Sequence, residues 1–233
     1  MVLQDLTFAL RMDVFSRYLV GCQALLGPTV VGTQRVFQRL FARYGLPTRI
    51  RTDNGTPFAG PGVAGLSPLS VWWIRLGIGV DRIARGHPEQ NGSHERMHRT
   101  LKAETIRPPA ASLRVQQRRF TQFSREYNHE RPHEALDFEV PAGRYDPSPR
   151  ALPSRLLPVD YPGHFEVRRV YAHGDIRIWG RRLFVSEALR GEYVGFEEID
   201  DGIWDLCFST VRLARLDIRT WCLHPHPTDS DES

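Results

Sequence analysis

The stretch Arg85-Gly-His-Pro-Glu-Gln-Asn-Gly-Ser-His-Glu-Arg-Met-His-Arg-Thr-Leu101 decides how this chain is interpreted. Its pattern predicts a loop that turns at Asn91-Gly92 and a helix that begins with Ser93 near its cap. Glu95 then lies in the first helical turn, where its carboxylate can point back toward the preceding loop. The sequence therefore indicates a carboxylate site at the start of a helix.

Two basic residues share the helical face of Glu95. Arg99 and Lys102 follow it at i+4 and i+7, so an acid and two bases line one face. This arrangement suits a metal ion with a polyanion beside it, and the alternative is a solvated ion pair on a surface helix. A second acid, in Thr52-Asp53-Asn54-Gly55, favours the metal site. Asn-Gly forces a turn there, which places Asp53 at the carboxyl end of a short strand.

Composition sets broad limits on the class of protein. A chain of 233 residues can bury a real core, and its net charge of +4 permits a nucleic-acid partner. The three cysteines are far apart and include no C-x-x-C pair, so neither a structural zinc site nor a disulfide framework is predicted, and a reducing cytosol fits. No apolar run approaches about 18 residues, so no membrane span is predicted.

Hydrophobic periodicity predicts strands alternating with helices in the first 140 residues, which indicates an α/β fold. Strands are expected within residues 6–22, 48–51 and 78–83. Helices are expected at about 30–44, 67–76 and 111–127, in addition to the helix that carries Glu95. A proline-rich stretch over 141–162 predicts a semi-rigid linker.

Beyond the linker, the sequence pattern changes to one of short strands. Six short strands with turn residues between them predict a small all-β barrel over 163–222, and residues 223–233 are expected to be a disordered tail. Arginines alternate along these strands, and they could form a phosphate-contacting face or merely solvated strand edges: Arg168, Arg169, Arg177, Arg181 and Arg182.

Three motifs occur in order along the chain and can now be named together. They are Thr52-Asp53-Asn54-Gly55, the segment Pro88…Asn91-Gly92…Glu95-Arg96, and Tyr127-Asn128…Arg131-Pro132-His133…Leu136. Together they resemble the catalytic core of DDE transposases and retroviral-type integrases, above all bacterial insertion-sequence transposases of the integrase-core type. The resemblance covers roughly residues 8–145, and the trailing β-domain resembles the SH3-like module that such proteins carry.

This resemblance implies an RNase H-like mixed sheet flanked by helices (domain 1–140), followed by the SH3-like barrel. It implies DNA integration and transposition by metal-dependent strand transfer at transposon ends, with DNA as partner, a homo-oligomeric assembly and a bacterial cytoplasmic location. Asp53 and Glu95 match the second and third acids of a triad that binds two Mg²⁺ (or Mn²⁺) ions. Oxygen ligands suit these ions, and two metals can activate a nucleophile and stabilise a leaving oxygen. Arg99 and Lys102 match positions that lie along the DNA.

The first acid of the triad is expected to lie outside this chain. In the family it precedes the Asp-x-x-Ser-Arg-Tyr segment by a whole strand, and that segment, Asp13–Tyr18, begins only twelve residues from Met1. Asp5 is a less favoured substitute ligand. Asp13 is a still less favoured one, because its simpler interpretation is a strand-end residue that fixes a turn near Ser16. The chain therefore resembles a transposase truncated at its N-terminus.

Two main hypotheses follow, with enzymatic activity left undecided between them. The first is a DNA strand transferase, and the second is a non-catalytic DNA-binding remnant of a truncated transposase. A nuclease of the RNase H type shares the fold and the metals, but the Tyr-Asn…Arg-Pro-His segment and the β-domain argue against it. A zinc site at His94-Glu95-Arg96-Met97-His98 is disfavoured, because no third ligand follows the H-E-x-x-H pattern. Tyr127, Asn128, Arg131 and His133 are interpreted as structural residues that close a helix against the sheet, and contact with DNA is the alternative.

Overall fold

The computed structural model describes residues 7–25, 27, 29–83, 92–106 and 110–225, which form two compact units. The first unit contains residues 1–47 and 83–152, and the second contains residues 48–82 and 153–233. Each unit is assembled from segments that are distant in sequence.

The first unit joins one hairpin to three helices. Strand β1 (Thr7–Met12) pairs antiparallel with β2 (Leu19–Leu25), and the helices are α1 (Val30–Tyr44), α3 (Gly92–Thr105) and α4 (Leu113–His129). Helix α1 starts where the Thr29 side chain accepts a hydrogen bond from the Gly32 N–H, and it ends at Gly45 with φ 78°. The turn between two strands within residues 6–22 and the helices expected at 30–44 and 111–127 are confirmed.

Strand β2 lies between two helices of the first unit. Cys22 and Ala24 are buried against α4 in a cluster with Phe120 and Phe123. On the other face, a Cβ added to Gly21 would come within 2.9 Å of the Leu40 methyl carbons of α1. This alternation is the period of two that a covered strand requires.

The second unit contains β3 (Arg49–Thr52), α2 (Pro68–Arg75), β4 (Gly79–Arg82) and all seven C-terminal strands. Strands β3 and β4 pair in parallel, and α2 begins with a capping box between Ser67 and Ser70. The C-terminal strands are β5 (Glu166–Arg169), β6 (Asp175–Ile178), β7 (Arg181–Phe184), β8 (Tyr193–Asp200), β9 (Ile203–Phe208), β10 (Val211–Asp217) and β11 (Cys222–Pro225).

Five of these strands form one antiparallel sheet in the order β11-β10-β9-β8-β5, and β6 and β7 form a separate hairpin. The small antiparallel sheet is compatible with the expected SH3-like fold, and the mixed α/β class is confirmed. Strand β11 is a difference from the sequence prediction, because it reaches into residues 223–225, which were expected to begin a tail. Strand β11 is ordered because it pairs with β10, with Asp217 opposite Cys222 at one end and Ala214 opposite Pro225 at the other.

One core unites the early and late segments of the second unit. Leu66, Val71 and Ile74 lie in the same buried cluster as Val194 and Phe196 of β8. The Val63 N–H donates to the Val185 carbonyl at 2.9 Å. In the described residues, no helix has the length and apolar character needed to cross a membrane.

Candidate metal and nucleic-acid site

Asp53 lies directly after β3, at its carboxyl end, and is exposed. Ile50 and Thr52 are buried, which anchors the strand that precedes Asp53. The Asp53 Oδ1 atom accepts a hydrogen bond from the Gly55 N–H at 2.9 Å. A turn in which the Asp53 side chain accepts the Gly55 N–H therefore holds one carboxylate oxygen in place. The predicted position of Asp53 at the carboxyl end of a strand is confirmed.

The neighbouring acid of the same ladder has a different role. Asp81 lies on β4 opposite Arg51, and its carboxylate accepts hydrogen bonds from Arg49 Nε at 2.9 and 3.0 Å. This bidentate contact neutralises Asp81 within the ladder. Asp53, just beyond the ladder, is instead exposed to solvent.

Glu95 lies in the first turn of α3 and is exposed, as are Arg99 and Lys102. At 100° per residue, these three side chains fall within about 60° of arc. The buried residues Met97 and Leu101 lie on the opposite side of the helix, with 3 % and 0 % exposure. Among the described residues, none of the three charged side chains forms an ion pair. The helix therefore exposes one acid and two bases along a single face.

Helix α3 is held by its C-terminal half. Leu101 packs in the buried cluster with Phe120 of α4. The Thr105 carbonyl accepts a hydrogen bond from Gln116 Nε2 at 3.1 Å, and both side chains are buried. The exposed face of α3 is therefore carried on a helix whose other face is fixed in the core.

The Tyr127–Leu136 segment is structural, and the sequence interpretation of it is confirmed. The buried Asn128 accepts a hydrogen bond from the Leu19 N–H at 2.8 Å and donates to the Leu19 carbonyl at 3.1 Å. Arg131 forms a bidentate ion pair with Glu104 of α3, with one hydrogen bond of 2.7 Å. The hydrogen bond from Arg131 lowers the pKa of Glu104 below its usual value. The segment thus ties α4 to β2 and to α3.

Sequence reasoning missed a second clamp between α4 and β2. Gln117 Nε2 donates to the Cys22 carbonyl at 3.0 Å, and its Oε1 accepts from the Ala24 N–H at 2.9 Å. A glutamine on a polar helix carries no signal for this role in one sequence. The partner becomes visible only when the strand and the helix are placed side by side.

Asp13 closes the turn between β1 and β2. Its Oδ2 accepts hydrogen bonds from the Ser16 N–H at 2.8 Å and from the Ser16 hydroxyl at 2.6 Å. Ser16 is fully buried, so this contact is part of the fold. The interpretation of Asp13 as a turn-fixing residue is confirmed.

Several predicted features lie outside the described residues. They are Asp5, the loop from Arg85 to Asn91 with its turn, and the side chains of Ser93 and His94. His98 is half-buried on α3. Within the part of the chain that the structure describes, no group of three or more His, Cys, Asp or Glu side chains is placed to hold a metal.

The arginines of the β-domain divide into paired and exposed groups. Arg168 hydrogen-bonds to Glu166 at 2.6 Å, and Arg182 contacts Asp175 at 2.7 Å and lowers the pKa of that carboxyl. The Arg181 guanidinium lies over the Trp221 ring at 4.9 Å. The other two are exposed, namely Arg169 and Arg177. The phosphate-contacting face predicted from five arginines is therefore reduced by local pairing.

Two family models match this chain. Residues 76–141 match the model described as "Integrase core domain". Residues 165–222 match the model described as "IS481 family transposase, C-terminal domain". The first region contains Glu95, Arg99, Lys102 and the Tyr127–Leu136 segment, while Asp53 precedes it.

Solved structures that match this chain include two from retroviruses. One is a cryo-EM structure of the simian T-cell lymphotropic virus intasome in complex with PP2A regulatory subunit B56 gamma, with 14 % identity, a TM-score of 0.48, and coverage of 97 % of this chain and 77 % of that one. Another is the HTLV-2 integrase catalytic core domain in complex with magnesium, in a trimeric form. It has 16 % identity, a TM-score of 0.44, and coverage of 60 % of this chain and 90 % of that one.

The two family matches indicate the kind of function this chain supports. An integrase-core region lies at residues 76–141. A region that matches the C-terminal domain of IS481 family transposases follows it on the same chain. Together the two matches support a transposase/integrase-like function in DNA integration and recombination.

Proposed function

We propose that this protein is a DNA strand transferase that acts at transposon ends, with Asp53 and Glu95 as its metal-binding carboxylates. The observation that carries the proposal is the exposed face of α3, where Glu95, Arg99 and Lys102 stand opposite the buried stripe of the integrase-core region. The order of the three motifs along the chain supports the pairing of Glu95 with Asp53.

Each of the two carboxylates is chemically suited to a hard divalent cation. Asp53 and Glu95 offer exposed carboxylate oxygens, and one oxygen of Asp53 is already oriented by the Gly55 N–H. Such oxygens with spare water positions suit Mg²⁺ or Mn²⁺. When bound, the ions would activate a hydroxyl nucleophile and stabilise charge on the leaving oxygen.

The chain's own residues would bind and orient the DNA. Arg99 and Lys102 follow Glu95 along one helical face, so their charges can neutralise phosphates that run past the carboxylate. Because α3 is fixed in the core through Leu101, this face needs little reorganisation to receive a backbone. DNA ends and target, a homo-oligomer, and a bacterial cytoplasmic setting belong to this proposal. So do a core domain of 1–140, a linker of 141–162 and a β-domain that begins at 163.

A second candidate is a DNA-binding protein without catalysis. The observation that favours it concerns Asp13, an acid on the first described hairpin. The Oδ2 atom of Asp13 already accepts two hydrogen bonds from Ser16. If no other acid completes the triad, two carboxylates would hold metal weakly and catalysis would fall by orders of magnitude. DNA binding through Arg99 and Lys102 would remain.

A strand-transfer assay separates the two candidates. The purified chain is incubated with a labelled transposon-end oligonucleotide and a plasmid, with Mg²⁺, with Mn²⁺, or with chelator. Metal-dependent joining supports the transferase, and Asp53→Asn and Glu95→Gln are each expected to abolish it. Asp146→Asn, an exposed acid in the predicted linker, is the matched control and should retain activity. No joining with either metal favours the second candidate.

A binding assay tests the basic residues independently of catalysis. Arg99→Ala and Lys102→Ala should each weaken duplex binding and lower the slope of log affinity against log salt by about one unit. Arg118→Ala, an exposed arginine of α4, is the control and should leave both quantities unchanged. An unchanged slope in the first two variants would refute the DNA role of the α3 face.

A further inference from the structure

Two exposed phenylalanines stand close to one concavity of the first unit. Phe15 is 79 % exposed and Phe138 is 73 % exposed, and Val14 beside Phe15 is 58 % exposed. Large aromatic side chains at this exposure are costly to leave in water, and several together mark an interaction surface. We call the surface formed by Val14, Phe15 and Phe138 the aromatic patch.

The turn that carries Phe15 is rigid. Asp13 accepts two hydrogen bonds from Ser16, and the Asp13 N–H donates to the Tyr18 carbonyl at 2.8 Å. Tyr18 in turn stacks on Tyr145 with ring centroids 4.2 Å apart. Phe15 therefore projects from a supported turn, so little conformational entropy would be lost if it were buried by a partner.

The loop that carries Phe138 is equally constrained. The Phe138 N–H donates to the His133 carbonyl at 2.9 Å, and the His133 N–H donates to the Glu139 carbonyl at 3.0 Å. Asp137 and Phe138 both have positive φ, at 55° and 63°. Residues with side chains seldom adopt this backbone conformation, and where it persists it often belongs to a functional surface.

A concavity of about 530 Å³ adjoins the two loops. One wall is formed by Val14, Phe15 and Arg17, and the other by Leu136, Asp137 and Arg144. Its volume exceeds that of a single aromatic side chain. A protruding ring and a hollow that can receive one therefore lie side by side on the same surface.

The charges around the aromatic patch decide which partner fits. Arg17 lies on one wall, and Asp137, with a side chain 93 % exposed, lies on the other. Arg144 is already engaged by Glu139 at 2.6 Å and contacts Asp137 at 3.7 Å. These mixed charges do not favour a polyanion, but they complement a second copy of the same surface.

We propose that the aromatic patch is a two-fold contact surface for a second copy of this chain. Phe15 of each copy would enter the concavity of the other, and Arg17 would face Asp137 across the contact. A ring and a hollow on one patch satisfy two copies at once, which gives a closed dimer and not an open filament. This proposal names the surface of the homo-oligomer and holds whether or not the chain is catalytic.

Molar mass in solution tests the proposal. Light scattering coupled to size exclusion is expected to give twice the 26.7 kDa chain mass for the full chain at micromolar concentration. Phe15→Asp and Phe138→Asp should each weaken self-association at least about 30-fold, as loss of a central aromatic contact does. Val31→Asp, at a 60 % exposed apolar position of α1, is the matched control and should remain dimeric. Circular dichroism confirms that each variant is folded.

A charge exchange tests the arrangement itself. Arg17→Asp and Asp137→Arg should each weaken the dimer, and the double variant should regain most of the loss because the pair is restored between copies. A wild-type chain that is monomeric overturns the proposal, as does a dimer that survives Phe15→Asp and Phe138→Asp. Folded variants that stay dimeric but lose DNA binding would assign the patch to DNA instead, and would also overturn it.

Discussion

The exposed face of α3 and the Tyr127–Leu136 segment come from the same integrase-core region, yet their side chains are used in opposite ways. In the segment, Asn128 and Arg131 are satisfied by Leu19 and Glu104. On α3, Glu95 and its two basic neighbours remain exposed above a buried stripe. Motif residues that the fold has already satisfied maintain the scaffold, and those it leaves exposed on a rigid element are available for chemistry.

The largest effect on stability is expected from Asn128→Ala. The substitution leaves the buried N–H and carbonyl of Leu19 without their side-chain partners, so the free energy of unfolding should fall by about 2–4 kcal/mol. Urea denaturation followed by circular dichroism measures this loss. Gln122→Ala removes an amide from the exposed side of α4 and should cost little. An equally small cost for Asn128→Ala would show that the segment is not structural.

A smaller effect, dependent on pH, is expected from Arg131→Met. The Arg131 and Glu104 side chains are 35 % and 39 % exposed, so solvent screening limits the pair to about 1 kcal/mol at neutral pH. Because the folded-state pKa of Glu104 is lowered, this stability is present above the usual pKa of 4.5 and is lost as pH falls through the folded value.

The contribution of Arg131 to stability is measured from the unfolding midpoints of wild type and Arg131→Met between neutral and acid pH. The wild-type chain should be the more stable of the two at neutral pH, and this difference should disappear in the acid range. Arg125→Met, at an exposed arginine 3.8 Å from Glu130, is the control and should match the wild type throughout. A gap between wild type and Arg131→Met that persists at acid pH would contradict the assignment.

The smallest effect on stability is expected on the exposed face of α3. Glu95→Gln and Arg99→Ala should change the free energy of unfolding by no more than about 0.5 kcal/mol, because these side chains are exposed. Differential scanning calorimetry of both variants measures this. A loss comparable with that of Asn128→Ala would mean that the face is structural and would weaken the proposed site.

Much of the fold was accessible from local pattern. Hydrophobic periodicity predicted a helix at about 30–44, and the structure places it at Val30–Tyr44. Strand β11 escaped prediction because Cys222–Pro225 has no strand pattern of its own and is ordered by pairing with β10. The packing of residues 48–82 with the C-terminal strands could not be predicted from local pattern either. Contacts such as the Val63–Val185 hydrogen bond join residues that are far apart in sequence.

The sequence by itself determined the candidate chemistry. Asp53 before Asn-Gly, and Glu95 with bases at i+4 and i+7, are short-range features whose meaning follows from turn and helix geometry. Only the tertiary structure decided which distant partners the polar residues take, such as Arg49 for Asp81 and the Leu19 backbone for Asn128. A single sequence shows which groups a chain possesses, whereas their availability depends on partners that folding brings together.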